Sequence, residues 1–590
     1  EDGSYYGLPA AGGIAGILNQ NVIAVANYNT IFNDTRQAVA NLSANYKIND
    51  WLSAKAFVGM DYRLIRGQYY ADARTADGAN VSGRLSEQTN ENFNYNANFI
   101  LNFRKTFSEV HKISGLLGTE YRDDTEQGNS MTAQGFPTPQ FRTINAAATP
   151  LSTGGFWTGF RRSSFFGKIG YDFDGRYVVS FTGRYDGSSR FGANNRFGFF
   201  PAVGAAWNVN EEAFLKENKY ISSLKLRASY GVTGRDDIGN FPSLGLYGAS
   251  GYLGLGGIQT SSLENPDLKW ERNVAANFGI DFGFFDDRIA GSFEIYRNDS
   301  EDLLLNRAVP ATSGYLSYTQ NVGKVRNEGV EFELSTVNVD MGGFKWITNF
   351  NVAFVGNEVL QLVGADTVLP GNTSIRVGHP IGAIFDAQFA GVNPATGRPM
   401  WYDNNNNPTY VVRNPTDLRV LGKNFADTYG GLTNTFSYKG LELSVFFQYE
   451  FGRLDYNGQN RFMMENGGRL FNSLQQYYDQ RWQKPGDMTS VPRPYSGNAE
   501  TRGSGNITGR GIQDGSYIRL KQLTFAYNVP NNLTEKFKIN NVKFYAQAYN
   551  LYTWTKWEGF DPEFVSLGGA GNNGVIPQPR KVTVGIQFGF

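Results

Sequence analysis

The chain has 590 residues, more than one soluble core requires, with 15% aromatic and 18% charged residues and Lys+Arg equal to Asp+Glu at 54 each. That balance excludes a disordered chain and removes the electrostatic case for a nucleic-acid partner. Cysteine is absent, so there is no disulfide framework and no thiolate metal or redox site. No run of about 18 apolar residues occurs, which excludes a helical membrane span. Negative mean hydropathy does not exclude the membrane, because a transmembrane barrel alternates apolar and polar residues and the mean cancels. The chain opens on Glu1-Asp2-Gly3 without a signal-peptide pattern, which points to a removed leader or to a start inside a longer gene product.

Period two dominates the pattern. In 38–48, Ala40, Leu42, Ala44, Tyr46 and Ile48 share one face, with Asn41, Ser43, Asn45 and Lys47 on the other. After Asn49-Asp50 the pattern repeats with Leu52, Ala54, Ala56, Val58 and Met60. The run 93–103 sets Phe93, Tyr95, Ala97, Phe99, Leu101 and Phe103 against Asn94, Asn96, Asn98 and Asn102. Segment 441–451 sets Leu441, Leu443, Val445, Phe447, Tyr449 and Phe451 against Glu442, Ser444, Gln448 and Glu450. Such strands have one face in oil and one in a polar medium, which a soluble sandwich also provides.

The connections decide between these. Strands are predicted at 38–48, 51–62, 92–104, 110–121, 163–173, 176–186, 197–208, 222–231, 270–283, 288–297, 328–337, 344–355, 428–438, 440–452, 517–527, 541–551 and 581–590. Short links (49–50, 105–109, 174–175, 284–287, 338–343, 439–440) alternate with mostly long ones (63–90, 122–162, 232–269, 298–327, 356–427, 453–516, 552–580). Two helical-looking links, 209–221 and 528–540, fall on the short-turn rim, and the extended stretch 376–390 is kept inside its loop. This sorting predicts an all-β, transmembrane antiparallel β-barrel with periplasmic turns and long extracellular loops. At the end, Val582, Val584, Ile586, Phe588 and Phe590 share one face. A terminal aromatic there resembles the signal read by the barrel-assembly machinery. Bacterial single-chain barrels close with an even number of strands, so about seventeen visible crossings imply an odd number before Glu1.

Several strings in order resemble the SusC/RagA family of TonB-dependent outer-membrane transporters. They include Ser164-Phe-Phe-Gly-Lys-Ile-Gly-Tyr-Asp-Phe-Asp-Gly-Arg176, Arg184-Tyr-Asp-Gly-Ser-Ser-Arg-Phe-Gly192 and Leu224-Lys-Leu-Arg-Ala-Ser-Tyr-Gly-Val-Thr-Gly234. Asn265-Pro-Asp-Leu-Lys-Trp-Glu271, Tyr517-Ile-Arg-Leu-Lys-Gln-Leu523, Gly559-Phe-Asp-Pro-Glu563 and Pro577-Gln-Pro-Arg580 follow. The resemblance implies about seventeen of some twenty-two strands, the whole of 1–590 being barrel, with the plug, the TonB box and the first strands upstream. It also implies nutrient import of an oligosaccharide or peptide, a SusD-like surface lipoprotein as lid, and TonB acting through the missing part.

No enzyme is expected. Only His111 and His379 are available, and no nucleophilic triad or metal-ligand set can be built from them. Asp403-Asn404-Asn405-Asn406-Asn407 has the alternate oxygens of a calcium loop, but it lacks the Gly at position six and carries Asn414 at position twelve. Asp186-Gly187-Ser188-Ser189-Arg190 reads as a tight turn. Phe165, Tyr171, Phe293 and Phe447 on apolar faces read as lipid-facing. Trp157, Trp401, Tyr402, Trp482, Trp554 and Trp557, all placed in long loops, are the candidates for stacking on a ligand or meeting a lid; the simpler alternative is that they pack loops together. A rival function from another class is a docking subunit of a larger outer-membrane assembly, since every strong motif specifies barrel and loops.

Overall fold

The computed structural model describes residues 21–363, 368–369, 372–413, 415–458, 474–495, 508–534, 539–564 and 576–589. Seventeen strands form one antiparallel sheet, each paired with its neighbours in sequence. They are β1 Thr30–Lys47, β2 Leu52–Ala71, β3 Arg84–Phe107, β4 His111–Gln134, β5 Thr149–Phe173, β6 Tyr177–Ser188, β7 Phe197–Asn208 and β8 Ile221–Arg235. Next come β9 Glu271–Phe284, β10 Ile289–Glu301, β11 Lys324–Met341, β12 Phe344–Gln361, β13 Thr428–Tyr438, β14 Leu441–Phe451, β15 Tyr517–Asn528, β16 Asn541–Thr555 and β17 Lys581–Gly589. Each corresponds to one expected strand. Among the described residues β1 and β17 do not pair, so the curled sheet stays open along these two edges. Phe590 lies outside the described residues.

The two faces differ as the alternation demands. Leu42 is 75% exposed, Leu117 62%, Phe165 56% and Val584 77%, all on the outer face. Full burial of such a side chain is worth about 1.5–3 kcal/mol, and here hydrocarbon is the medium that supplies it. Among the described residues no helix is long and apolar enough to cross a membrane. The apolar interior sits elsewhere, where loops pack on the upper wall: Phe191, Phe200, Val232, Leu268 and Trp270 form one buried cluster, and Tyr70, Leu85 and Phe136 another.

Tight turns hold one rim. Asp174-Gly175, Gly342-Gly343 and Lys439-Gly440 all take positive φ, the left-handed geometry that matches the twist of a short hairpin. At the link 209–220, Glu212 accepts hydrogen bonds from the Tyr177 hydroxyl at 2.5 Å and from Trp207 Nε1 at 3.0 Å. Those bonds, with Arg176 nearby, hold its carboxyl below the usual range.

The opposite rim corrects the loop boundaries. Most of 63–90 and 122–162 is strand: β2 continues to Ala71, β4 to Gln134, and β5 begins at Thr149. Crossing the membrane takes about 9–11 residues, so these strands of 20–25 residues continue above it. There both faces meet water, and runs such as Asp123-Asp124-Thr125-Glu126-Gln127 lose the alternation that marks a strand. The stretch 376–390, left inside its loop, stands off the wall: Ala383–Ala387 pairs with Leu418–Lys423 in a separate small sheet.

This topology predicts sidedness. Single cysteines replacing Phe141 or Met488, which are 56% and 85% exposed in long loops, should react with an impermeant thiol reagent on intact cells. Cysteines replacing Asp50, Asp174 or Lys439 should react only after lysis. Surface labelling at Lys439 or Asp174 would invert the strand count upstream of the error.

Candidate functional site

Because side chains alternate along each strand, the residues between the lipid-facing ones line the lumen. On the inner wall of β8–β11, Thr233, Asn273, Asn277, Tyr296, Asn298 and Asn327 line a cavity of about 780 Å³. A second cavity of about 1070 Å³ lies between the upper ends of β12–β14 and the folded loops, against Ile381, Asn424, Tyr429, Glu450, Arg453 and Glu563. Tyr296 and Asn327 line both, so the two adjoin.

The chemistry of this vestibule is polar and largely charge-compensated. Asn357 Nδ2 donates to Asn327 Oδ1 at 2.7 Å, and Asn277 Nδ2 to Glu294 Oε2 at 3.0 Å. Glu450 receives the Tyr517 hydroxyl at 3.0 Å and Arg453 Nη1 at 3.1 Å. Asn273 and Asn298 keep carboxamides open to a ligand, each offering a donor and an acceptor.

A buried ion-pair network fixes the floor of the loop body. Arg519, 3% exposed on the inner face of β15, holds Asp561 at 2.5 Å and Glu563 at 2.5 Å, while Nε donates to Thr553 Oγ1 at 2.9 Å. Lys521 Nζ adds a bond to Glu563 at 2.6 Å. Burial alone pushes the Asp561 carboxyl up, but the Arg519 guanidinium and the Glu563 and Gln578 N–H groups outweigh it and hold the pKa below the usual range. Sequence reasoning missed both the cavities and this network. The available signals were the polar positions of period two in 270–298 and the opposite charges in Arg519/Lys521 and Asp561/Glu563.

The six candidate aromatics do not converge. Trp157 and Trp554 lie on strands rather than in loops and face outward: Trp157 stacks on Phe241 at 6.0 Å, and Trp554 meets Tyr552 edge-on at 4.7 Å. Trp401 is 2% exposed and Trp557 6%. Trp401 and the half-buried Tyr402 sit on one short strand, and Trp482 closes on the adjacent turn, its Nε1 donating to the Pro394 carbonyl at 2.9 Å. None of the six lines either cavity.

The remaining motifs have structural partners. Asp403 Oδ1 accepts the Asn405 and Asn407 N–H groups at 2.9 and 2.8 Å, and the Arg419 guanidinium takes two of the loop's oxygens, Asn406 Oδ1 and the Asp403 carbonyl. Arg190 stacks on Phe160, 3.9 Å from the ring centre, and bonds Asn240 at 2.8 Å. His111 Nδ1 lies 2.7 Å from the Tyr171 hydroxyl at the short-turn rim.

Residues 2–551 match the family model described as TonB dependent receptor-like, beta-barrel. The chain is 30% identical over 593 residues to TonB-dependent receptor P3 of Formosa agariphila, covering 93% of this chain and 58% of that protein. It is 29% identical to the TonB-dependent receptor SusC of Bacteroides thetaiotaomicron over 72% of this chain and 43% of that one. Among solved structures, the RagAB peptide transporter superposes with a TM-score of 0.84 at 27% identity, over 95% of this chain and 63% of that one. The chain thus spans roughly three fifths of the length of the first of these relatives. With wall, turns and loops in that arrangement, and with its similarity to SusC and to the RagAB structure, the chain belongs to the TonB-dependent receptor-like β-barrels of the outer membrane.

Proposed function

We propose that this chain is the wall and loop body of a nutrient importer for an oligosaccharide or peptide. It works under a SusD-like lipoprotein lid, with TonB acting through a part encoded upstream of Glu1. The observation that carries the reading is the polar, hydrogen-bonding vestibule of the inner wall, roofed by long loops. Relatives with this wall are named as receptors and as a peptide transporter, which supports import over catalysis. The unpaired edges of β1 and β17 support this reading, because unpaired backbone groups are costly in hydrocarbon and further strands bridging the two would satisfy them. Of the candidate aromatics, Trp157 and Trp554 keep the most exposed rings, and these two are the ones proposed to meet a lid.

The test is reconstitution of the complete protein with its lipoprotein, followed by binding and uptake of labelled glycans and peptides. Failure to bind or move any nutrient would sink the reading, and co-purification with secretion or assembly machinery would favour the docking alternative. For biogenesis, deleting Phe590 should lower the inserted fraction without lowering synthesis, measured by heat-modifiable gel mobility. Unchanged insertion would make Phe590 an ordinary strand end.

A further inference from the structure

The outer face of β9–β12 changes character at one height. Phe278, Ile295, Val330 and Phe354 stand opposite one another in a lipid-facing row, and the next outward row is Ala276, Arg297, Glu328 and Gly356. β10 rises from the short turn at 285–288, and Arg297 is its ninth residue counted from Ile289. About 9–11 residues cross the membrane, so Arg297 stands where the hydrocarbon of the extracellular leaflet ends. A groove of about 760 Å³ runs along this boundary, lined by both rows. Gly356 widens it: a Cβ there would meet nothing closer than 3.7 Å.

Just above the groove, cations outnumber the carboxylates that hold them. Arg297, Lys324 and Arg326 share Asp299 and Glu301 at 2.7–3.3 Å. The Arg297 side chain is the most exposed of the three, at 51% against 29% and 24%. Its Nε and Nη2 donate to Asp299 at 3.3 and 3.2 Å, and Nη1 has no hydrogen bond among the described residues. Glu328, opposite Arg297 in register, is exposed and forms no ion pair among the described residues, so it repels an anion arriving from β11. From β9 the approach is open, because Arg297 faces only the methyl of Ala276. We propose that this face docks a phosphorylated glycolipid of the outer leaflet, of the lipid A type. One phosphate rests over Ala276 on Arg297, and an acyl chain lies in the groove below. Position and chemistry select this occupant. A guanidinium at headgroup height binds phosphate through charge-assisted hydrogen bonds, and the apolar groove continues beneath it into hydrocarbon, which a free anion would leave unfilled. Removal of the head group from bulk water strengthens the contact further.

The test is native mass spectrometry of the complete protein in phosphatidylcholine nanodiscs doped with lipid A at a fixed ratio. Arg297→Gln should cut the lipid A retained roughly tenfold, the effect of losing one charge-assisted contact. Gly356→Leu fills the groove without altering a charge and should also lower retention. Glu328→Gln should raise it, a gain that misfolding cannot mimic. Arg161→Gln removes an equally outward arginine that already has its own carboxylate, Asp123 at 2.8 Å, and should change nothing. Heat-modifiable mobility verifies insertion of each variant. Equal losses at 161 and 297 would reduce the effect to general surface charge and overturn the site. So would unchanged retention in Arg297→Gln and Gly356→Leu, or a dimer closing this face in place of lipid. Displacement of lipid A by excess phosphatidylglycerol or inorganic phosphate would overturn the choice of occupant.

Discussion

Arg519→Ala should release the segment 556–564 from the barrel wall at a cost of about 3–5 kcal/mol, because it leaves Asp561 buried without its counter-charge. Asp561 is 4% exposed and takes its strongest hydrogen bond from Arg519. The strand itself should survive, since β15 keeps its pairing with β14 and β16 through ten and eleven residue pairs, respectively. The expected result is therefore local: faster hydrogen exchange and protease cutting in 556–564, with the heat-modifiable barrel unchanged. Arg519→Lys should fall between, since an ammonium cannot hold two carboxylates in a fork. Arg519→Met with Asp561→Leu should recover much of the loss, because an apolar pair of similar volume removes the desolvation penalty with the charge. Asp561 also sets a pH dependence. Its folded-state pKa is depressed, so its contribution is present above the unfolded carboxylate value and is lost as pH falls through the lower folded one. Acid, not alkali, should loosen this segment in the wild type. Equal protection in Arg519→Ala and wild type would mean that other contacts hold the loop.

The wall was legible because hydrocarbon enforces it. Positions such as Leu42, Val58 and Met60 have no alternative to an apolar side chain, and the period of two locates each crossing to within a few residues. Legibility stopped where that constraint stopped. Above the membrane the outer face is wet, so β4 and β5 continued through 122–134 and 149–162 without an apolar stripe to show it. Long-range pairing was also hidden. Arg519 and Asp561 are 42 residues apart, and nothing in either segment marks the other as its partner. The aromatic candidates show a related limit: sequence places a Trp in a loop but not how deep it lies, and Trp401 and Trp557 are interior to the loop body while Trp157 is not. The vestibule asparagines were in view as polar alternates of strands, yet only the curl of the sheet brings Asn273, Asn298 and Asn327 around one cavity.

Val445→Arg should destabilise the inserted barrel by about 2–4 kcal/mol, and Ser444→Arg by much less. The two residues are adjacent in β14, well inside the span from Leu441 to Phe451, so depth is nearly the same and only the face differs. Val445 shares the outer face with Leu443 and stands opposite Leu523 of β15, where a guanidinium would have to leave water for hydrocarbon. Ser444 points inward and accepts the Thr435 hydroxyl at 3.2 Å, so an arginine there loses one neutral hydrogen bond and keeps an aqueous lumen. Denaturant unfolding of the complete protein in lipid, with heat-modifiable mobility as an independent readout of insertion, measures the difference. A Val445→Lys variant tests the cause: its longer, more flexible ammonium stem should reach toward the interface and cost no more than arginine. Equal losses at 444 and 445 would contradict the face assignment of β14. They would contradict neighbouring strands as well, because Leu443, Phe436 and Phe525 stand opposite one another in a single row across β13, β14 and β15 and must share whatever medium β14 faces.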